Sequence, residues 1–263
     1  MESRTTLPLD ILTYIIDLLA HGDDEDTKSL QILSRACKSL VPLCRKHLFS
    51  SLRLHSKLHS ERISDLLSRN PDLTRYVKSL KYGVDIPISD DELRILDLIK
   101  ARSILQSIEL LSQPGFDWNT FPESVQSSLR SLIQLPTVTN LDIRSFKNFP
   151  STALSLCCNL SDLRLEGLEM TPPEVNQVIF RSKTPTPVSL YAKTRTYEGL
   201  ATLMKSVSAG VPFVDFSRLQ TASFNVDSPG DISHISDLIK TTTQLHSLYI
   251  TCECCTLLFI FLG

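Results

Sequence analysis

Among the residues of this chain able to do chemistry, the cysteines stand out first. Cys252, Cys254 and Cys255 fall together in TCECC, and a thiolate cluster is the kind of donor set that zinc takes. Zinc needs four ligands in tetrahedral reach, however, and the nearby imidazoles are only His234 and His246. The other cysteines, Cys37, Cys44, Cys157 and Cys158, form no spaced framework, and the total of seven is odd. Buried thiols in a reducing compartment account for them without metal or disulfide. Catalytic motifs are also missing: there is no GxSxG, no phosphate-binding glycine loop, no dinucleotide-binding glycine pattern and no HExxH. The expectation is a protein that is not an enzyme and carries neither cofactor nor metal.

What remains is the chemistry of binding, and its strongest signal is LPLDILTYIIDLL, residues 7 to 19. On a helical wheel Leu9, Ile11, Leu12, Ile15, Ile16, Leu18 and Leu19 fill about half the circumference, with Asp10, Thr13, Tyr14, Asp17 and Ala20 opposite. A helix packing on one core needs an apolar stripe only about 100° wide. A stripe twice that width fits a helix wedged between two elements of its own chain, or one that packs inward and docks a partner outward.

HGDDEDT, residues 21 to 27, then ends the helix at Gly22 and offers Asp26 or Thr27 as the next N-cap. The second helix carries Leu30, Leu33, Cys37 and Leu40, and Pro42 opens a third, LCRKHLF. Three short helices in about 45 residues bury too little surface to be comfortable alone. In this order the segments resemble an F-box domain, in the form that opens many fungal F-box proteins. The shared features are the Leu7-Pro8 start, the acid Asp10, the Ile11-Leu12 and Ile15-Ile16 pairs and the Leu-rich helix leading into a Cys/Lys/Arg-containing third helix. The resemblance covers residues 5–50. It implies an all-α three-helix domain that docks a Skp-family adaptor and, through it, a cullin-RING ubiquitin ligase. Carried over residue by residue, it assigns adaptor contact to Leu7, Pro8, Ile11, Leu12, Ile15 and Ile16, with Leu33, Leu40, Leu43 and Leu48 as internal packing or later contacts. Residues 23–26 lengthen the first connection, and the tryptophan common in the third helix of relatives is missing.

From residue 51 the texture changes to L-x-L alternation, the mark of half-buried strands. Strands are expected to end at Leu54, Tyr82, Leu110, Ile143, Leu165, Leu190, Phe224 and Ile250, steps of 28, 28, 33, 22, 25, 34 and 26 residues. Their mean of 28 lies within the leucine-rich-repeat range of about 20–29. Helical patterns fall between them, near 61–69, 91–101, 123–134, 174–180, 198–208 and 231–240, and SDDE (89–92), TFPE (120–123) and TPPE (171–174) have capping-box spacing. Residues 51–251 are thus expected to form an α/β leucine-rich-repeat solenoid, parallel strands inside and helices outside. This part resembles the irregular leucine-rich repeats that often follow fungal F-boxes, with the asparagine ladder of regular repeats largely missing. Residues 252–263, apolar and cysteine-rich, contain no polar cap, and are expected to be the shortened or mispredicted end of a longer array; the alternative is that they fold back as an unusual cap.

Strand alternation turns the middle residue of each L-x-L outward: Arg53, Lys81, Glu109, Asp142, Arg164, Ser189, Ser223 and Tyr249. This mixed row is expected to contact a protein target through Arg53, Lys81, Glu109, Asp142, Arg164 and Tyr249; the plainer alternative is a solvated strand face. The functional expectation is a substrate-recognition subunit of a Skp-cullin-F-box ligase in the ubiquitin-conjugation pathway. The alternative is a non-catalytic repeat module or scaffold outside any ligase. Nucleic acid is not expected as a partner: 27 basic residues are dispersed among 29 acidic ones, and Lys28, Arg35 and Lys38 sit beside DDED. The longest unbroken apolar run, Leu257 to Leu262, is far below the roughly 20 residues of a membrane helix. No basic tract decides between cytoplasm and nucleus.

Overall fold

Apolar residues at helical spacing, and then at every second position, produce two kinds of packing. The computed structural model describes residues 7–20, 24–84, 88–172, 183–193, 196–204 and 212–252. The chain opens with α1 (Leu9–Leu19), α2 (Asp24–Ala36) and α3 (Val41–Leu48), the last preceded by a 3-10 turn at Lys38–Leu40. Pro8 is the N-cap of α1, and Pro42 lies in the first turn of α3, where its missing N–H leaves no helical bond unmade. The expected N-cap at Asp26 or Thr27 is not observed, because α2 begins at Asp24. Acidic residues are favourable in the first turn of a helix, so residues 24–26 belong to α2 instead of preceding it.

Ile16, Leu30, Leu40 and Cys44 form the core of this unit, with Leu12, Leu19, Leu33, Leu43 and Leu48 around them. Burying an aliphatic side chain contributes about 1.5–3 kcal/mol, while ordering each residue's backbone costs about 1–2 kcal/mol. Three buried aliphatic residues cannot hold three helices by themselves, and the unit leans on other contacts. Asp17 of α1 bonds both Lys46 Nζ and His47 Nε2 of α3 at 2.8 Å, and α3 packs on a 3-10 turn at Pro71–Tyr76.

The remaining elements alternate. In chain order they are β1 (Ser51–Leu54), α4 (Lys57–Arg69), β2 (Ser79–Gly83), α5 (Asp90–Arg102), β3 (Ser107–Asp117), α6 (Glu123–Ile133) and β4 (Asn140–Lys147). Next come β5 (Phe149–Pro150), α7 (Ser151–Leu154), β6 (Asp162–Glu166), β7 (Met170–Thr171) and β8 (Ser189–Lys193). The last are α8 (Tyr197–Met204), β9 (Thr221–Val226), α9 (Pro229–Thr241) and β10 (Ser247–Cys252). Eight strands pair in parallel in the order β1-β2-β3-β4-β6-β8-β9-β10, while β5 and β7 form a separate pair. The result is a mixed α/β domain with one large parallel sheet and flanking helices, α4 on α5, α5 on α6 and so on to α8 on α9.

One face of the sheet is core. Leu54, Tyr82, Leu110, Ile143, Leu165, Ala192 and Phe224 stand in register from strand to strand and are buried, with Ile250 partly so at the edge. The register corrects one expectation. Leu190 pairs with Leu163, so the partner of Leu165 is Ala192, and the outward residue level with Arg164 is Tyr191, with Ser189 level with Asp162. The flanking steps become 27 and 32 residues. Alanine is a small apolar signal next to leucine, which is why alternation alone stops the strand two residues early.

Helix starts also differ in detail. Ser89 caps α5 by accepting from the Glu92 N–H, as SDDE suggested. TFPE makes no capping box: Pro122 is the N-cap of α6, and Thr120 donates to the Asp117 carbonyl. At α9, instead, the Asp231 carboxylate accepts from the Ser228 N–H at 2.8 Å. The expected helix at 174–180, the Glu174 end of TPPE, residues 205–208 of the helix expected at 198–208, and the tail beyond Cys252 lie outside the described residues.

Candidate functional site

Side chains on α1 divide into two sets by burial. Ile16 is 1% exposed, and Leu12 and Leu19 pack beside it, so these three belong to the unit's own core. Ile11, Tyr14, Ile15 and Leu18, at helical spacings i, i+3, i+4 and i+7, form a second apolar stripe beside the first, about a third of a turn around the helix. Their exposures are 43, 63, 39 and 57%. Leu7, Pro8 and Leu9 extend the exposed surface at the N-terminal end. Of the residues assigned to adaptor contact, Leu7, Pro8, Ile11 and Ile15 therefore lie at the surface, Leu12 is half-buried, and Ile16 presents no surface to a partner. Tyr14 and Leu18 belong to the exposed stripe and were not assigned. Tyr14 falls among the polar residues on the helical wheel, although its ring is as able to bury apolar area as a leucine.

The second surface is the uncovered face of the sheet. Arg53, Lys81, Glu109, Asp142, Arg164, Tyr191, Ser223 and Tyr249 form one level of the ladder, each paired with the next. Neighbouring strands lie about 4.8 Å apart, so opposite charges on adjacent strands meet. Glu109 accepts from Lys81 Nζ at 2.9 Å and lies 3.4 Å from Arg144 Nη2. Arg144, two residues beyond Asp142, grips that carboxylate with two donors at 2.9 and 2.6 Å. Glu166 lies 3.9 Å from Arg144 Nε and 3.5 Å from Lys193 Nζ. The hydrogen bond to Asp142, above all, pushes the Arg144 guanidinium still further from deprotonation.

Each exposed ion pair is worth only about 0–1 kcal/mol, so the chain of charges mainly fixes side-chain positions. It spans β2 to β8 and uses Lys81, Glu109 and Asp142 internally. Among the described residues, Arg53 and Arg164 make no ion pair. Arg164 lies over the Tyr191 ring, 6.0 Å from its centre. A depression of about 280 Å³ lies between Arg164 and the acids, lined by Ser107, Glu109, Asn140, Asp142 and Asp162. Arg144, Glu166 and Lys193 were missed by reading only the L-x-L centres; the same period of two, carried one step further, finds them.

Buried polar groups in the interior serve structure. Glu92 is nearly buried and accepts from Tyr82 Oη at 3.0 Å and from Ser60 Oγ at 3.4 Å. Burial, together with the Glu92 carboxylate, pushes the Tyr82 phenol far above its usual range. Burial pushes the Cys157 thiol up to about 12, which makes it a poor nucleophile. Among the described residues no three His, Cys, Asp or Glu side chains gather as a metal-ligand set, and no helix is long and apolar enough to cross a membrane. Cys254 and Cys255 lie outside the described residues.

No protein-family model matches the chain, and no curated protein matches it in sequence. Its function has to be inferred from these two surfaces.

Proposed function

We propose that the chain is a substrate-recognition subunit of a Skp-cullin-F-box ubiquitin ligase: the N-terminal helices hold the adaptor and the sheet holds a protein target. The observation that carries this is the second apolar stripe of α1, Ile11, Tyr14, Ile15 and Leu18, turned away from a core that α1 already serves with Ile16. A lone amphipathic helix has no use for two such faces unless something covers the second.

The leucine-rich-repeat reading of residues 51–251 is supported by strand order and exposure. Parallel sheets are ordinarily covered on both faces and their strands are apolar throughout. Here strands in chain order alternate buried and outward residues, as in the pattern eBeB of β1. Stacked strand-helix units leave such a face free for a ligand. In this role the protein contributes proximity and orientation, bringing a target lysine to a ubiquitin-loaded partner enzyme, and no reacting group.

Reconstitution tests the proposal. Purified Skp-family adaptor should be captured by the wild-type chain and not by Ile11→Asp/Ile15→Asp, a double variant that folds because both positions are on the surface. Equal capture by both, with circular dichroism showing the variant intact, sinks the docking assignment. If the adaptor is not captured but a protein target is, the alternative of a scaffold outside any ligase takes its place.

A further inference from the structure

The outward face of the sheet is chemically divided. On β3, β4 and β6 it carries Glu109, Asp142, Asp162 and Glu166, whereas the outward positions of β8, β9 and β10 carry no acid. Those three strands present Tyr191, Ser223 and Tyr249 at one level and Lys193, Asn225 and Thr251 at the next. Lys193 is held by Glu166, so among the described residues the cation left at the border is Arg164.

We infer that β6, β8, β9 and β10 form a docking surface for an acidic, aromatic-bearing peptide segment of a protein partner, whose side-chain carboxylate pairs with Arg164. The inference rests on the proposed function in one respect only, that the sheet face meets a protein. Arg164 is suited to the task. Its guanidinium is exposed, has no ion-pair partner among the described residues, and is laid against Tyr191. A guanidinium held over a ring at 6.0 Å keeps donors free for bidentate bonding to a carboxylate. Asp142, opposite Arg164 in the ladder, is paired with Arg144 through both its oxygens and makes no ion pair with Arg164.

The rest of the surface supplies contact area. Tyr191 and Tyr249 stand two strands apart with Ser223 between them, a separation of about 9–10 Å at ordinary strand spacing. That gap accepts one flat side chain over Ser223, flanked by two rings. A single carboxylate is preferred over a phosphate because one unpaired cation stands near Asp142 and Asp162, and a second negative charge would face those acids without compensation.

The test is selection of a random dodecapeptide library displayed on phage against the immobilised full chain, followed by titration of synthetic peptides. Wild type should enrich Asp or Glu beside Phe, Tyr or Trp, and changing that acid to its amide should weaken binding about tenfold. Arg164→Gln should bind acid and amide peptides alike, and Tyr249→Ala should weaken both. Arg69→Gln, at an exposed cation of α4 outside the sheet face, should leave the preference intact. Replacing the acid by phosphoserine should give no gain. Failure to enrich any peptide, enrichment of basic peptides, tighter binding of phosphoserine, or an acid preference that survives in Arg164→Gln each overturns the inference. Adaptor capture by Arg164→Gln is measured alongside and should equal wild type, so loss of the docking helix and loss of this surface are read separately.

Discussion

Ile16 and Leu18 are two residues apart, and the fold assigns them opposite work. Ile16 lies among Leu12, Leu19, Leu30 and Leu40 at 1% exposure, while Leu18 is 57% exposed on the other side of α1. Truncating Ile16 to alanine removes three carbons, worth about 2.4 kcal/mol at 0.8 kcal/mol each. The cavity it leaves brings the expected loss to about 2–5 kcal/mol. Leu18→Ala removes a similar volume from a surface site, where changes stay within about 0.5 kcal/mol. Native-state hydrogen exchange of the α1, α2 and α3 amides is the suitable assay, because it reports opening of this small unit separately from the large sheet. We predict that Ile16→Ala accelerates exchange throughout the three helices and that Leu18→Ala does not. Equal acceleration by both would falsify the two-faced account of α1, since Leu18 would then be packed within the chain.

Three further outcomes follow from named contacts. Asp17 is held below the usual carboxylate range by hydrogen bonds from Lys46 first and His47 second, so its contribution is complete above the unfolded value of about 3.9 and fades as pH falls through the lowered folded value. Asp17→Asn should therefore flatten the acid limb of helical-unit stability measured by circular dichroism, and an unchanged limb would remove the carboxylate from the explanation. Tyr82→Phe takes a donor from nearly buried Glu92 and should cost about 1.5–3 kcal/mol in denaturant unfolding; a cost below about 0.5 kcal/mol would mean the carboxylate is satisfied without it. Gly167 has φ +59°, and its added Cβ would meet Ser145 only at ordinary contact distance, 3.6 Å. Gly167→Ala should thus lose about 1–2 kcal/mol from backbone conformation alone, and a neutral result would show that the loop relaxes.

Much of the element order was legible because alternation and helical spacing are strong signals in a chain with eight L-x-L-like segments. The strands β1, β2 and β3 carry two large buried apolar residues each, Leu52 and Leu54, Leu80 and Tyr82, Ile108 and Leu110, and period two finds them directly. The signal fails where the buried residue is small, as at Ala192, or where the outward residue is itself aromatic, as at Tyr191. The short elements β5, α7 and β7 carry too few residues to show any period. Part of β3 is also hidden, because its register against β4 shifts between Leu111 and Phe116. There the chain turns through Gly115 at φ +82°, and Phe116 joins Trp118, Phe121 and Phe146 in an aromatic cluster.

The candidate site was less legible than the fold. A helical wheel gives the width of the apolar arc on α1 but not which half the chain itself covers, so Ile16 and Ile15 look equivalent until Leu30 and Leu40 are brought into place. The outward row was found, yet its meaning depends on neighbours far apart in sequence. Arg144 lies 35 residues beyond Glu109 and 22 before Glu166, and only the sheet brings the three together. Arg53 and Arg164 are set apart by lacking such a partner among the described residues, which no sequence pattern records.

The most direct measurement is a calorimetric titration of purified Skp-family adaptor into the full chain and into Ile11→Ala, Tyr14→Ala, Ile15→Ala and Leu18→Ala. Ile232→Ala, a change at an exposed residue of α9, is the control. The account predicts saturable binding by wild type and by the control, with at least two of the four stripe variants weaker by about thirtyfold or more, the scale of a 2 kcal/mol hot spot. No heat of binding with wild type, or four variants indistinguishable from it, would contradict the claim that this face of α1 is a docking site.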